Sequence, residues 1–248
     1  MEKTFLEFFA GIGLVHLGLR PSGWVCAYAN DFSEKKQAMY LDEFLNAANF
    51  HLEDVWETDR ILERIAAPAL LATASFPCVD LSLAGRMKGL DGEHSSTLFG
   101  FIEVMRRLKE QCKMPPLVMV ENVTGLLTGH QGKDFEQTCL ALAELGFFLD
   151  SVVVDAKHFT PQSRPRLFII GALENFIPET ALNGHHLHWI ERLKSRSGAC
   201  PMRLFEAMRR IQLPTGWIAF DLPELPPVER NLSSVIDLDE GQSWWSED

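Results

Sequence analysis

The sequence shows neither the long apolar runs nor the paired cysteines that are typical of membrane and secreted proteins, and we expect no leader segment. None of its apolar runs approaches the roughly 18 residues that a membrane helix needs. The start, Met1-Glu2-Lys3-Thr4, has no signal-peptide pattern. The 5 cysteines include no C-x-x-C pair, which disfavours a disulfide framework and a structural zinc site. These absences predict a cytoplasmic protein with no membrane contact and no bound metal.

The sequence also has no excess of basic residues, which a nucleic-acid-binding protein usually shows. Its net charge is −11. Residues 221–248 carry −7 of this charge, and the first 220 residues carry only −4. The acidity therefore belongs mainly to the end of the chain, and the charge of the main body does not decide the class of partner. We expect little intrinsic DNA affinity from the chain alone.

Short apolar runs alternate with helical patterns over the first two thirds of the chain. Strands are predicted at Phe5–Phe9, Trp24–Ala29, Leu70–Ser75, Leu117–Val120, Phe148–Val154 and Leu167–Ile170. A helix is predicted to start after Gly13, and further helices lie near residues 33–47, 98–109 and 135–145. This alternation predicts an α/β fold, a mostly parallel sheet with helices on both faces. After Gly171 only the helix Met202–Ile211 is indicated, before a proline-rich stretch. We therefore predict a domain over residues 1–171 and a connecting region over residues 172–248.

Four predicted strands are followed by residues that could bind a ligand, namely Gly11, Asp31, Cys78 and Glu121. In open α/β sheets such residues meet at the carboxyl ends of the strands. The turn Phe9–Gly13 would let a ligand approach backbone N–H groups, and Asp31 follows the next strand, where ribose hydroxyls are commonly bound. The turn lacks the third glycine of the dinucleotide fingerprint, which disfavours a nicotinamide enzyme. An ordinary glycine turn is the alternative.

The remaining candidates carry reactive or charged side chains. Cys78 on a strand-end loop is either a nucleophile or a buried structural thiol. Glu121 closes an apolar strand, where a carboxylate is costly unless it is paired or acts on a ligand; a surface turn is the alternative. Arg164 and Arg166 point to one side of a strand and could pair with Glu121 or bind phosphate. A basic edge without a specific partner is the alternative for them.

Together, the order and spacing of these motifs resemble the C5-cytosine DNA methyltransferase family. The matching segments lie within residues 4–171 and are Phe9–Gly13, Asp31, Pro77-Cys78, Glu121-Asn122-Val123 and Gln162–Arg166. The resemblance implies the Rossmann-like fold of the S-adenosylmethionine-dependent methyltransferases. It also implies methyl transfer to C5 of cytosine in double-stranded DNA, on a base flipped out of the helix, with S-adenosylhomocysteine as product. A restriction–modification context would be typical.

The resemblance also assigns a role to each matched residue. Cys78 would add to C6 of the base, and Glu121 would hold the base edge and supply a proton. Arg166 would contact the base carbonyl oxygen or the cysteine loop, and Arg164 would orient Glu121 or bind backbone phosphate. Phe9, Gly11 and Ile12 would contact the methionine end of the cofactor, and Asp31 would bind its ribose hydroxyls. Phe32 would stack on the adenine face, and Asp54 and Val55 would contact the adenine edge. Pro77 and Leu98 would also line the cofactor site.

The largest departure from the family lies at the end of the chain. The target-recognition domain and the last two motifs of the family have no counterpart in the sequence. We therefore expect a catalytic domain without its target-recognition domain. A second chain or a downstream segment would complete the enzyme. Two alternatives stay open: an incomplete, non-catalytic form that binds cofactor or a partner chain, and an RNA (tRNA) cytosine-5 methyltransferase.

Overall fold

The structure is a computed structural model that describes residues 2–45, 47–77, 97–179, 189–191, 193, 196 and 199–228. Seven strands form one sheet: β1 (Thr4–Phe8), β2 (Val25–Asp31), β3 (Phe50–Leu52), β4 (Leu71–Ala74), β5 (Leu117–Val123), β6 (Phe147–Asp155) and β7 (Pro165–Leu173). Their order is β3-β2-β1-β4-β5-β7-β6. Every pairing is parallel except those of β7, which is antiparallel to both β5 and β6. The predicted mostly parallel α/β fold is confirmed.

The α-helices that accompany the sheet include α1 (Leu14–Leu19), α2 (Glu34–Glu43), α3 (Thr58–Arg64), α4 (Thr97–Glu110), α5 (Lys133–Glu144) and α6 (Met202–Arg210). Helix α4 shows why they form, since Phe101, Val104, Met105 and Leu108 recur at helical spacing and are all fully buried. No helix in the described part of the chain has the length and apolarity that crossing a bilayer requires.

Two elements of the structure, β3 and α3, have no counterpart among the predicted ones. Strand β3 has three residues, and its central His51 interrupts the apolar pattern. Helix α3 has seven residues, of which only Ile61 and Leu62 are buried. Neither segment shows enough periodicity to stand out, and both depend on neighbouring elements for their stability. They matter because the residues between them reach the candidate site.

The two faces of the sheet are covered unequally. On one face, alternate strand residues such as Leu6, Phe8 and Val118 pack with α3, α4 and α5 into the larger core. On the other face, Phe5, Ala29, Tyr40 and Phe44 form a smaller core, over the strands β1 to β3. Over β5 and β7, the described residues leave this second face open to a cavity.

The chain after Gly171 contributes to the larger core. Strand β7 continues to Leu173, and Leu204 and Met208 of α6 are fully buried in that core. The buried Asp150 of β6 accepts two hydrogen bonds from Arg196 at 3.0 and 2.8 Å and one from the backbone N–H of Phe220 at 2.9 Å. The described part of the predicted connecting region is thus packed on the sheet, and the domain boundary at residue 171 stays a prediction.

Replacing Arg196 with methionine should destabilise the protein by about 3–5 kcal/mol, the usual cost of removing one partner from a buried ion pair. Asp150 would be left with an uncompensated charge in a site that already raises its pKa through burial, with Arg196 opposing that shift. Urea unfolding at pH 7 measures the effect. The surface substitution Arg209→Met on α6 is the control, and equal stabilities of the two variants would contradict the expectation.

Candidate active site

The turn after β1 has a backbone conformation that favours glycine. Phe9, Gly11 and Gly13 have φ angles of 57°, 59° and 84°, in the left-handed region. A Cβ on Gly13 would lie 2.3 Å from the ring of Phe44, so a side chain cannot be accommodated there without a shift. The turn brings the backbone N–H of Gly11 to 3.1 Å from Asp31 Oδ2. Two predicted site residues that are 20 positions apart are therefore joined directly.

Asp31 is the last residue of β2 and is only 2% exposed. Besides Gly11, its carboxylate accepts a hydrogen bond from the backbone N–H of Ser33 at 3.0 Å and one from Lys36 Nζ at 3.0 Å. Charge-assisted hydrogen bonds of this kind hold a carboxylate in one orientation. Asp31 is thus a fixed acceptor at the edge of the sheet, beside the glycine turn.

A cavity of about 290 Å³ opens next to Asp31. It is lined by Phe9, Asn30, Asp31, Phe32, Glu53, Asp54, Val55, Trp56 and Thr97. The ring of Phe32 is 63% exposed, so one of its faces is available for stacking. Asp54 Oδ1 accepts the backbone N–H of Trp56 at 2.9 Å, which shapes the loop between β3 and α3. The structure therefore brings together five of the predicted cofactor residues around one small cavity.

Leu98 and Pro77, two other predicted cofactor residues, lie differently. Leu98 is fully buried in the larger core, and its neighbour Thr97 lines the small cavity instead. Pro77 is exposed in the segment that follows β4. Cys78, the predicted nucleophile, lies outside the described residues. The contacts predicted for these three residues stay predictions.

A larger cavity of about 590 Å³ lies on the open face of the sheet and shares Phe9 with the small one. Gly11, Ile12, Leu14 and Lys36 line one side of it, and Ser75, Met119, Glu121, Arg164, Arg166 and Phe168 line the sheet side. The predicted cofactor residues Gly11 and Ile12 therefore face the same space as the predicted catalytic residues of β5 and β7.

Glu121 and Arg166 form an ion pair in this cavity, with 2.9 Å between Glu121 Oε1 and Arg166 Nε. Both side chains are partly exposed to the cavity. The prediction that Glu121 follows its strand is wrong, because β5 continues to Val123. Antiparallel pairing with β7, which sets Val123 opposite Arg166, extends the strand past the apolar run that sequence can detect. Glu121 is consequently held by strand pairing as well as by its ion pair.

Arg164 immediately precedes β7. Its backbone N–H donates to Asp155 Oδ1 at 2.8 Å, while its side chain is exposed and reaches the larger cavity. The guanidinium that orients Glu121 is that of Arg166. Arg164 thereby presents a positive charge at the mouth of the cavity, where an anionic ligand could meet it.

Asn122 connects the two strand ends of the site, a role that sequence analysis did not assign to it. Its Nδ2 donates to the carbonyl oxygen of Phe76 at 3.0 Å, and its Oδ1 accepts the backbone N–H of Val123 at 2.8 Å. Phe76 lies two residues before Cys78. The side chain of Asn122, on the opposite face of β5 from Glu121, therefore fixes the backbone at Phe76.

Sequence analysis also missed Glu7, an acidic residue in the apolar run Phe5-Leu6-Glu7-Phe8 that could have drawn attention. It lines the larger cavity and is only 1% exposed. Its Oε1 accepts the backbone N–H of His16 at 3.3 Å, whereas Oε2 has no hydrogen-bond partner among the described residues. Burial raises the pKa of Glu7 to about 8, although backbone hydrogen bonds to His16 and Val15 oppose the shift.

Glu7 belongs to a polar cluster with His16 and Cys26. Their potential metal-ligating atoms lie within 4.8 Å of one another. His16 Nδ1 lies 2.7 Å from the hydroxyl of Tyr40, which in turn lies 3.8 Å from Cys26 Sγ. Burial raises the pKa of Cys26 to about 12, with the nearby Glu7 adding to the shift. Tyr40 therefore links His16 to Cys26 through its hydroxyl group.

Comparison with known proteins places this geometry in a family. The sequence profile of the C-5 cytosine-specific DNA methylases matches residues 3–206. The Type II methyltransferase M.BsuFI of Bacillus subtilis is 30% identical over 184 residues, which cover 74% of this chain and 41% of that protein. M.HpaII of Haemophilus parainfluenzae is 31% identical, over 68% of this chain and 45% of that protein. The chain spans about half the length of the curated relatives it matches.

Solved structures agree on the fold. DNMT2 of Spodoptera frugiperda superposes with a TM-score of 0.53 at 18% identity, covering 70% of this chain and 50% of that one. S. pombe Dnmt2 gives the same score over 73% of this chain and 52% of that one. The sheet order with one antiparallel strand, the glycine turn and the Glu121–Arg166 pair thus occur on a Rossmann-like methyltransferase fold. The chain belongs to the C-5 cytosine-specific DNA methylase family.

Proposed function

We propose that this protein transfers a methyl group from S-adenosylmethionine to C5 of cytosine in DNA, through a covalent adduct between Cys78 and C6 of a flipped base. The observation that carries the proposal is a pair of neighbouring cavities that share Phe9 in their walls. The cavity at the Glu121–Arg166 pair reaches the Phe9–Ile12 turn, and Phe9 also lines the cavity of Asp31 and Phe32. A cofactor bound at the turn would therefore face a base held by Glu121.

The residues of both cavities fit S-adenosylmethionine. The small cavity offers a fixed carboxylate for ribose hydroxyls, Asp31, and an exposed ring for adenine, Phe32. Gly11 and Ile12 would line the amino-acid end in the larger cavity. The bound cofactor would supply an electrophilic methyl group on sulfur, and no metal is required for this chemistry.

Side chains of the protein would activate and hold the cytosine base. The Cys78 thiolate forms a bond to C6, which makes C5 nucleophilic enough to accept the methyl group. Glu121 holds the N3 and N4 edge of the base and supplies a proton that neutralises the developing negative charge. Arg166 keeps the Glu121 carboxylate in place through the 2.9 Å ion pair. Loss of the C5 proton then breaks the bond from sulfur to C6 and restores the thiolate.

The open face of the sheet supports the expectation that further polypeptide completes the enzyme. None of the residues of α1 is buried, and Leu14 and Leu17 are exposed beside the larger cavity. Met119 and Phe168 line the floor of the same cavity. The relatives are about twice as long as the matched part of this chain. We propose that a segment from the part of the family's length that this chain does not match packs against this apolar strip and closes the cavity.

A covalent trap tests the function. The full chain is incubated with S-adenosylmethionine and duplex DNA of mixed sequence that contains 5-fluorocytosine, and adducts are resolved on a denaturing gel. Fluorine at C5 cannot leave as a proton would, so a working site stays attached to its base. We expect an adduct in the native chain and none in Cys78→Ala, whereas Cys112→Ala, which removes an exposed cysteine, should behave as the native chain does.

Two further measurements distinguish this function from the incomplete form and from an RNA methyltransferase. Calorimetric binding of S-adenosylmethionine without any adduct would favour an incomplete form that binds cofactor or a partner chain. An adduct with tRNA that contains 5-fluorocytosine, but not with DNA, would favour an RNA substrate. An adduct that persists in Cys78→Ala, or the absence of both binding and adduct, would contradict the proposal.

A further inference from the structure

Lys36 lines the larger cavity and contacts Asp31, which lines the small one. It is on α2, and its Nζ is 3.0 Å from Asp31 Oδ2 and 5.8 Å from the centre of the Phe32 ring. Asp31 and Phe32 line the small cavity, whereas Lys36 lines the larger one together with Gly11 and Ile12. The ammonium group therefore stands between the place proposed for the ribose and the place proposed for the amino-acid end.

The ion pair with Asp31 does not exhaust the hydrogen-bonding capacity of Lys36. An ammonium group has three donors, and Asp31 accepts one of them. The Lys36 side chain is 45% exposed, so it can adjust its position at little cost. Asp31 does not depend on Lys36 for its orientation, because the backbone N–H groups of Gly11 and Ser33 also hold it.

The charges around the larger cavity distinguish Lys36 from the other cations that line it. Arg166 is paired with Glu121, and Arg164 lies beside it at the start of β7 on the sheet side. Lys36 alone among these three lies on the side of the glycine turn. The amino-acid end of S-adenosylmethionine carries one anionic group, its α-carboxylate, which would need a cation on that side.

We propose that Lys36 is a binding residue for the α-carboxylate of the cofactor, which it would hold while remaining bonded to Asp31. The inference rests on the proposed function, since it presupposes an adenosyl amino acid in the two cavities. It makes Lys36 a specificity determinant, because ligands that share the adenosine and sulfur but lack the carboxylate gain nothing from it.

Calorimetry with two ligands tests the assignment. S-adenosylhomocysteine has the α-carboxylate, and 5′-methylthioadenosine has the same adenosine and sulfur without it. For Lys36→Met we expect the affinity for S-adenosylhomocysteine to fall at least about tenfold, as for loss of a charge-assisted hydrogen bond. Affinity for 5′-methylthioadenosine should change by less than about twofold, by the same argument that no charged partner is lost. Lys35→Met, at the neighbouring exposed lysine, is the matched control and should bind both ligands as the native chain does.

Any other result contradicts the assignment of Lys36 to the α-carboxylate. Equal losses for both ligands would mean that Lys36 acts through Asp31 and the ribose, and unchanged affinities would mean that it binds neither. If the native chain binds both ligands and Lys36→Met has no selective effect, only this inference fails. If the native chain binds neither ligand, the cofactor assignment fails with it. Salt dependence gives a second readout, since added salt should weaken S-adenosylhomocysteine binding more in the native chain than in Lys36→Met.

Discussion

Replacing Glu121 with glutamine should slow the formation of the covalent adduct with 5-fluorocytosine DNA by at least about 100-fold, the lower end of the range for general acid–base catalysis. Glutamine has nearly the same shape and can still accept a hydrogen bond from Arg166 through its amide oxygen. It carries no acidic proton, and its amide would meet the cytosine amino group as a donor. Quenched gel assays over time measure the adduct rate, and calorimetry with S-adenosylhomocysteine should show unchanged cofactor affinity.

Glu144→Gln serves as the control for this effect, because Glu144 is exposed on α5. It should form the adduct at the native rate. An adduct rate for Glu121→Gln within a few-fold of the native rate would show that Glu121 does not act as the acid. A loss of cofactor affinity equal to the loss of rate would instead indicate that the substitution disturbs the whole cavity.

Replacing Glu7 with glutamine should stabilise the protein increasingly as the pH rises from about 4.5 to about 8. Over that range the folded state keeps a proton that the unfolded state releases, because burial raises the pKa of Glu7 in the folded state to about 8. The native protein therefore loses up to about 1.4 kcal/mol of unfolding free energy per pH unit through this group. Glutamine does not ionise, so the gain for Glu7→Gln reaches up to about 5 kcal/mol at pH 8 and then levels off.

Urea unfolding of both proteins at several pH values from 5 to 9 measures this difference. Parallel pH profiles for the native protein and Glu7→Gln would contradict a buried Glu7 that titrates with a raised pKa.

Glu7 lines the larger cavity, so its ionisation changes the charge of the candidate active site. Buried carboxyl groups with a raised pKa, such as Glu7, are common near functional sites. Its Oε1 holds the backbone N–H of His16 at the start of α1. A glutamine at this position retains that acceptor, so the pH profile reports on ionisation and not on loss of the turn.

Much of the fold and of the site could be predicted from the sequence because the relevant signals are local. The strands around Phe5, Leu117 and Leu167 are apolar runs, and α4 has apolar residues at helical spacing. The local pattern of each element therefore predicts its type and its buried face. Glycines with left-handed backbone, such as Gly13, are required by a tight turn and a close neighbour. The order of these motifs along the chain also sufficed to indicate the family, whose profile matches residues 3–206.

Only the tertiary structure decided which of these residues meet. The extension of β5 through Glu121 comes from pairing with β7, and the bond from Asn122 to Phe76 joins residues 46 positions apart. The position of Lys36 between two cavities depends on how α2 packs over β2. Such contacts follow from strand order and register, which arise from long-range burial of apolar faces. Local periodicity records only that a face is buried, and it does not say against which partner.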